Sequence, residues 1–376
     1  MPTTLTGSYV SADGHVVEPK DLFTSRMDLK LAEKAPHIES RESGDFYVME
    51  GFGEFAIGLS GEGTAATDKA EGKEIHMAGL RYDDTRPGAW DPVERLKDQD
   101  LDGIRAEVMY PGVFGLWSYN ASDADLHVEI VRVYNDWIAE FSASAPDRLV
   151  GVGILPMRGS TESKVAEVER VAKLGLRSVM LPLEVEGGYV NMEGGDRLWA
   201  ALQDVGLPLG FHVGSSTKSV SADKYRSLGV GVAVIEQKIC AVARGLTDLI
   251  LSGVPQSFPG LRFVMAEGGI GWIPSVLRLN DHWWEDHRHW MEPKLEEPPS
   301  SYFFRQFWAT FEDDRAGLLT RELLNVDRLM WGSDYPHPEG VFPFSRQQIA
   351  KDFRDVPEHE TVKIVGENAA ALYGLN

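Results

Sequence analysis

The sequence contains a single cysteine, Cys240, so a disulfide within the chain is excluded. Basic residues are scarce: 37 lysines and arginines stand against 58 aspartates and glutamates, which gives a formal net charge of −21. A chain this acidic is unsuited to nucleic acid or to an anionic membrane surface, so we expect neither as a partner. The sequence has no uncharged stretch of bilayer length and no basic start followed by an apolar core. These absences predict a soluble cytoplasmic protein, in which Cys240 is a small buried residue on a helix.

Apolar residues are plentiful, at 43% of 376 residues, which is enough for a large core. Short apolar runs that end at proline, glycine or an ionisable residue alternate with longer amphipathic segments, as in repeated β/α units. The predicted strands begin at Tyr9 and then span 106–110, 150–155, 177–181, 209–213, 263–267, 307–311 and 329–333. The predicted helices span 92–99, 123–144, 160–174, 195–205, 230–252, 271–290 and 315–325. This order predicts an α/β protein, a (β/α)8 TIM barrel.

Two regions interrupt the alternation within what we expect to be one domain, residues 1–376. Residues from about 22 to 90 carry little periodicity and lie between the first two predicted strands. A long irregular insertion at a strand's C-terminal end predicts a lid over the barrel rim or an oligomer contact. The tail holds two predicted helices, 345–353 and 359–372, which we expect to pack across the barrel.

Imidazole and carboxylate side chains recur where the predicted strands end. Asp13 and His15 are two residues apart on the first strand, so their side chains share a face and can reach one ion. Such a pair alone is often structural, and its position on the first strand of a barrel favours a metal site. Glu18 follows just before Pro19, where it can fold back towards the same centre. His212 ends an apolar strand and precedes the loop Gly214-Ser215-Ser216. A single histidine at a strand end is more often a hydrogen-bonded core residue, but the other candidates favour a metal ligand here.

Three more candidates follow the later strands. Glu267 ends the strand 263–267, and Asp334 and His337 follow the last strand. Asp334 can be a turn residue before Pro336, or it can bind a metal and accept a proton from metal-bound water. His337 is either a further ligand or a hydrogen-bond donor to substrate. Histidines and carboxylates at several strand ends are how a β/α barrel assembles a metal site at its C-terminal rim.

Several motifs together resemble a known family. They are Asp13-Gly14-His15-Val16-Val17-Glu18-Pro19, Gly210-Phe211-His212, Glu267-Gly268-Gly269-Ile270-Gly271-Trp272, Gly332-Ser333-Asp334-Tyr335-Pro336-His337 and Gly366-Glu367-Asn368-Ala369-Ala370-Ala371-Leu372-Tyr373-Gly374. On these motifs the chain resembles the amidohydrolase superfamily, in the branch that contains aminocarboxymuconate-semialdehyde decarboxylase and the resorcylate decarboxylases. The resemblance implies a barrel enzyme with Zn²⁺ or Mn²⁺ held by the first-strand pair, His212 and Asp334.

The chain departs from this family pattern at two positions. Asp13 and His15 stand where the family has two histidines, or a glutamate and a histidine. Glu267 stands where the decarboxylases place a catalytic histidine before Gly-Gly. An ionised glutamate can accept a proton or bind a metal, but it cannot donate a hydrogen bond.

The ligand set Asp13, His15, Glu18, His212, Glu267, Asp334 and His337 exceeds what one ion needs. Carboxylates that can bridge two metal ions suit a Mn/Fe or Fe/Fe pair, with Glu18, Glu267 and His337 around the second ion.

Three hypotheses about the function follow from these residues. The first is an enzyme that hydrolyses or decarboxylates a small carboxylic acid, either aromatic or aliphatic, with Asp334 or Glu267 moving the proton. The second is a dinuclear Mn/Fe monooxygenase of a small carboxylic acid, and the third is a catalytically silent subunit of a heteromeric enzyme. We expect a homo-oligomer, or a hetero-oligomer with a paralogous subunit.

Overall fold

Eight parallel strands form a nearly closed barrel at the centre of the computed structural model, which describes residues 9–60, 64–76, 78–121, 123–217 and 230–375. The barrel strands are β1 (Tyr9–His15), β5 (Ile104–Tyr110), β6 (Leu149–Ile154), β7 (Ser178–Glu184), β8 (Leu209–Ser216), β9 (Phe263–Ala266), β10 (Phe307–Phe311) and β11 (Leu329–Trp331). Each pairs in parallel with the next in this order. The last strand approaches the first where the Asp334 N–H, just after β11, donates to the Asp13 carbonyl of β1 (3.0 Å). The predicted (β/α)8 barrel is confirmed.

Helices surround this barrel in the predicted alternation. The longer helices are Pro92–Asp102, Ala124–Ala143, Thr161–Lys173, Gly195–Val205, Val242–Leu251, Ile273–His287, Pro299–Gln306 and Ser345–Asp352. Shorter helices are Leu22–Arg26, Ile57–Ser60, Ala65–Ala70, Val113–Trp117, Val230–Ile235, Val254–Ser257, Arg315–Leu319, Glu358–Val362 and Asn368–Tyr373. Local sequence sets their ends: the Asp91 carboxylate accepts the N–H groups of Val93 and Glu94 to start one helix, and Gly103, at φ 80°, ends it. None of the described helices combines the length and hydropathy that a bilayer crossing requires.

The insertion after β1 is more ordered than its sequence suggests. Its strands β2 (His37–Arg41), β3 (Gly44–Met49) and β4 (Gly53–Ala56) form an antiparallel sheet, which corrects the expectation of an irregular segment. The insertion packs on the loops that follow three barrel strands. Phe52 stacks on Trp117 with 3.9 Å between ring centroids, the Tyr82 hydroxyl donates to the Glu18 carbonyl (2.9 Å), and Lys69 donates to the Pro338 carbonyl (2.5 Å). It therefore lies against the C-terminal end of the barrel.

The predicted helix 230–252 contains an irregularity that its apolar pattern does not show. A π-helical segment, Glu236–Ala241, separates Val230–Ile235 from Val242–Leu251. Cys240 lies in this segment and is exposed, so the expectation of a buried cysteine is wrong. The turn buries Ala241 and leaves Ile239 and Cys240 on its outer side. Inserted turns of this kind occur frequently at functional sites.

Candidate metal centre

The predicted ligands come together because the C-terminal ends of parallel strands meet at one end of a barrel. Asp13 and His15 lie at the end of β1, His212 lies in β8, Glu267 directly follows β9, and Asp334 follows β11. All are buried, at 7% exposure or less. Acidic and imidazole groups placed this deep are stable only with partners or a bound ion.

One group consists of Asp13, His15 and His212, whose nearest ligand atoms all lie within 4.8 Å of one another. His15 Nδ1 lies 2.9 Å from the Pro111 carbonyl oxygen, and His212 Nδ1 lies 2.9 Å from that of Val213. A carbonyl can only accept, so each Nδ1 carries the proton and each Nε2 presents a lone pair. Backbone acceptors of this kind fix the ring orientation of metal-binding histidines.

The inward atoms of this end of the barrel fit a divalent ion. Asp13 Oδ1, His15 Nε2, His212 Nε2 and Asp334 Oδ2 are buried, and each is without a hydrogen-bond partner among the described residues. His212 Nε2 lies 3.4 Å from Asp13 Oδ1, and His15 Nε2 lies 3.7 Å from Asp334 Oδ1. Buried polar atoms are normally paired, so four such atoms in two adjoining groups of candidate ligands fit a divalent ion as their common partner. Imidazole nitrogen and carboxylate oxygen are ligands that Zn²⁺ and Mn²⁺ accept.

A second group consists of His15, Glu267, Asp334 and His337, also within 4.8 Å, and it shares His15 with the first. His337 Nδ1 lies 2.9 Å from Asp334 Oδ1. Glu267 Oε2 lies 3.3 Å from His212 Nε2, so the two groups adjoin. The sequence-predicted residues other than Glu18 thus meet at one place.

Glu18 lies outside both groups. Its Oε1 accepts the backbone N–H of Gly115 (2.9 Å) in the loop after β5, and its carboxylate is fully buried there. The chain turns after β1 towards that loop and not back over the strand end. The structure therefore does not bring Glu18 to the other candidates, in contrast to the expectation that it folds back.

Thr310, on β10, connects two of these acids and was not predicted. Its hydroxyl donates to Asp13 Oδ2 (2.8 Å) and accepts the Glu267 N–H (2.8 Å). Glu267 and Asp334 both have positive φ, at 61° and 52°, the only non-glycine residues of the described chain that do. Backbone in this region costs roughly 1–3 kcal/mol per residue and occurs mainly where function requires it.

The pKa values of the cluster follow from burial and close charges. Burial lowers the pKa of His15 well below its usual range, and His337 and His212 lower it further, so His15 is neutral and able to bind a metal. Burial also opposes protonation of His212, but the Asp13 carboxylate close to its Nε2 outweighs burial and raises the pKa of His212. For Glu267, burial opposes ionisation, and Lys238 with the neighbouring imidazoles still holds its pKa well below the usual range.

Lys238 and Glu312 were also missed by sequence reasoning. Lys238, on the π-helical segment, places Nζ 2.9 Å from Glu267 Oε1 and 3.7 Å from Glu312 Oε2. Glu312 directly follows β10, so the strand-end signal that found Glu267 applied to it as well. Lys238 gave no such signal, since it lies in a helix whose sequence reads as apolar.

The chain is similar to several known proteins. The family model for amidohydrolases matches residues 88–375. The chain is 24% identical to 2-amino-3-carboxymuconate-6-semialdehyde decarboxylase of Dictyostelium discoideum, over 81% of this chain and 82% of that protein. It is 27% identical to gamma-resorcylate decarboxylase of Rhodococcus jostii strain RHA1, over 66% of this chain and 78% of that protein.

Solved structures share the fold. A 5-carboxyvanillate decarboxylase from Sphingomonas paucimobilis matches with a TM-score of 0.65 at 26% identity, over 77% of this chain and 84% of that one. An amidohydrolase from Mycobacterium avium subsp. paratuberculosis matches with 0.78 at 19% identity, over 99% and 100%. A dihydroxybenzoic acid decarboxylase from Polaromonas, with bound manganese and the inhibitor 2-nitroresorcinol, matches with 0.66 at 18% identity, over 99% and 98%. Since the family model spans well over half of the chain, this protein belongs to the amidohydrolase family.

Proposed function

We propose that this protein is a metal-dependent decarboxylase of a small aromatic carboxylic acid. The observation that carries the proposal is the set of buried atoms Asp13 Oδ1, His15 Nε2, His212 Nε2 and Asp334 Oδ2, which belong to two adjoining groups of candidate ligands and have no hydrogen-bond partner among the described residues. The relatives support the reaction class, since those named above decarboxylate carboxymuconate semialdehyde, resorcylate and carboxyvanillate.

Asp13, His15, His212 and Asp334 are the residues that would hold the ion, and manganese or zinc is the metal we expect. The bound manganese of the Polaromonas decarboxylase supports Mn²⁺. A divalent ion here would act as a Lewis acid that binds and polarises the oxygens of the substrate. The insertion after β1 packs on the loops around this end of the barrel, and we propose that it acts as a lid that excludes water.

Decarboxylation breaks the bond between the ring and the carboxylate, and the ring carbon then takes a proton as CO2 leaves. We assign this proton to the pair of His337 and Asp334, whose Nδ1 and Oδ1 lie 2.9 Å apart. His337 is partly exposed at 14% of its side chain, so it can take a replacement proton from solvent, whereas Asp334 is fully buried. Such positioned proton transfer typically contributes 10²- to 10⁴-fold to a rate.

Glu267 cannot take over the donor role of the histidine that stands there in the decarboxylases. Its carboxylate is ionised and hydrogen-bonded by Lys238, so it accepts and does not donate. We therefore give Glu267 the role of orienting the groups beside it, His212 and Lys238, and we place proton delivery on His337 and Asp334.

The test is CO2 release under strictly anaerobic conditions by manganese-loaded protein, with a panel of ortho-hydroxylated benzoates as substrates. The proposal expects one CO2 and one phenol per acid consumed, and loss of this activity in Asp334→Asn. A matched control is Asp327→Asn. Asp327 is exposed, lies near Asp334 in the sequence and pairs with Lys363. No CO2 release from any acid of the panel would count against decarboxylation, and turnover that requires O2 would point to the oxygenase. The dinuclear monooxygenase, the silent subunit and the oligomeric state stay predictions.

A further inference from the structure

Lys238 contributes a positive charge to the site, although it does not lie on a barrel strand. It lies in the π-helical segment Glu236–Ala241, which follows β8 in the chain, and its side chain is 22% exposed. The π-helical segment interrupts the helical repeat, and Lys238 reaches Glu267 while Ile239 and Cys240 point outward. Lysine side chains are seldom buried to this extent, so a lysine that is mostly buried against two acids is a candidate functional residue.

Among the residues that the structure describes, the partners of the Lys238 ammonium group leave part of its donor capacity unused. It carries three N–H donors, of which one meets Glu267 Oε1 at 2.9 Å. Glu312 Oε2, at 3.7 Å, lies beyond hydrogen-bonding distance. Burial raises the pKa of Glu312 well above its usual range, and Lys238 opposes this rise.

Lys238 also lies next to the ion-binding atoms. The Glu267 carboxylate connects the two, because its Oε1 meets Lys238 and its Oε2 lies 3.3 Å from His212 Nε2. The ammonium is therefore one carboxylate group away from an imidazole that faces the metal position. An aromatic acid bound at the metal would have Lys238 within reach.

Lys69, from the insertion, is another lysine that the structure describes close to this end of the barrel. Its ammonium donates to the carbonyl oxygens of Pro338 and Gly340, and these contacts hold the insertion on the loop after β11. Among the described residues, Lys69 donates two hydrogen bonds and Lys238 donates one, so Lys238 has more donor capacity left for an anion.

We propose that Lys238 is a substrate-binding residue, which supplies the second positive charge of the site and binds the carboxylate of the substrate. This assignment rests on the proposed function, because it takes an aromatic carboxylate as the ligand. It also gives a reason for Glu267: the glutamate holds the ammonium in place.

The test compares binding of benzoate and of its neutral isostere benzamide to the manganese-loaded full chain by titration calorimetry. Both probes lack the ortho hydroxyl group of the substrate class, and only benzoate is charged. Loss of a charge-assisted hydrogen bond predicts that Lys238→Met binds benzoate roughly 10- to 100-fold more weakly than the wild type. Benzamide binding should change less than about 2-fold, and Lys238→Arg should retain most benzoate affinity.

The control is Lys97→Met, which removes an exposed lysine paired with Glu94 on the helix Pro92–Asp102. Manganese is counted on every variant. Equal benzoate affinity in wild type and Lys238→Met overturns the assignment, and so does loss of manganese from Lys238→Met, which would make Lys238 a support of the ion. Absence of benzoate binding by the manganese-loaded wild type overturns the proposed function and this assignment together.

Discussion

Thr310 gives the sharpest test of how the barrel prepares its metal ligands. Its hydroxyl is fully buried, donates to Asp13 Oδ2 at 2.8 Å and accepts the Glu267 N–H at 2.8 Å. Thr310→Val keeps the shape of the side chain and removes both hydrogen bonds. Asp13 then loses the group that orients it, and the Glu267 N–H loses its partner.

Two magnitudes follow from these contacts. Removal of a hydrogen bond that orients a metal ligand typically costs roughly 10- to 100-fold in metal affinity, which is about 1.4 to 2.7 kcal/mol. The unpaired, buried Glu267 N–H should lower the free energy of unfolding by roughly 1–3 kcal/mol, with or without metal. Thr310→Ser keeps the hydroxyl and should recover most of both losses.

The assay is a competition titration of Mn²⁺ against a chelator, with urea unfolding of the metal-free protein alongside. Thr361→Val is the matched control, because Thr361 is a buried threonine of the C-terminal helices whose hydroxyl contacts the Pro357 carbonyl. It should leave manganese affinity unchanged. Wild-type manganese affinity in folded Thr310→Val would refute the role of Asp13 as an oriented ligand.

Three further predictions concern single residues. Glu18→Gln should keep wild-type manganese affinity, because a glutamine oxygen can also accept the Gly115 N–H; a loss above tenfold, measured by the same titration, would return Glu18 to the ligand set. His337→Ala should lower the rate of CO2 release by roughly 10²-fold or more, and a rate near that of the wild type would remove His337 from proton delivery. Burial raises the pKa of Asp102 to about 6, against the hydrogen bonds from Ser345. The folded state therefore binds this proton more tightly than the unfolded state, and stability is lost as pH rises from about 4 to 6, by up to roughly 3 kcal/mol. Asp102→Asn should flatten urea-unfolding stability over that range, and an unchanged pH slope would contradict the assignment.

The barrel could be predicted because its strands are buried on both faces and read as short apolar runs. The predicted strand 106–110 is the C-terminal part of β5, and the helix Gly195–Val205 has the predicted bounds. Strand ends then located Asp13, His15, His212, Glu267 and Asp334, since the C-terminal ends of parallel strands converge. The same pattern, short apolar runs with ionisable residues at their ends, therefore predicted both the fold and most of the site.

The insertion could not be predicted in the same way. Strand β2 is partly exposed on both faces, so its side chains do not alternate between apolar and polar. Its pairing with β3 depends on contacts with the rest of the insertion and not on a period that one strand shows. Glu18 was misplaced for a related reason, because sequence spacing does not give the direction of the chain after β1.

Lys238 and Thr310 were missed because neither belongs to a pattern. Lys238 reaches Glu267 only through the π-helical segment, which changes the face that the helix presents. Thr310 lies on a buried strand of mainly aromatic residues, and its role depends on Asp13, which lies 297 positions earlier. Residues that position ligands across the barrel are defined by tertiary contacts alone.

The central claim is that one divalent ion is held by Asp13, His15, His212 and Asp334. Elemental analysis of protein purified with excess manganese, with metal counted per chain, tests it most directly. We predict one ion per wild-type chain and nearly none in the double variant with His15→Ala and His212→Ala. Two ions per wild-type chain, or an ion that stays bound in the folded double variant, would contradict the account.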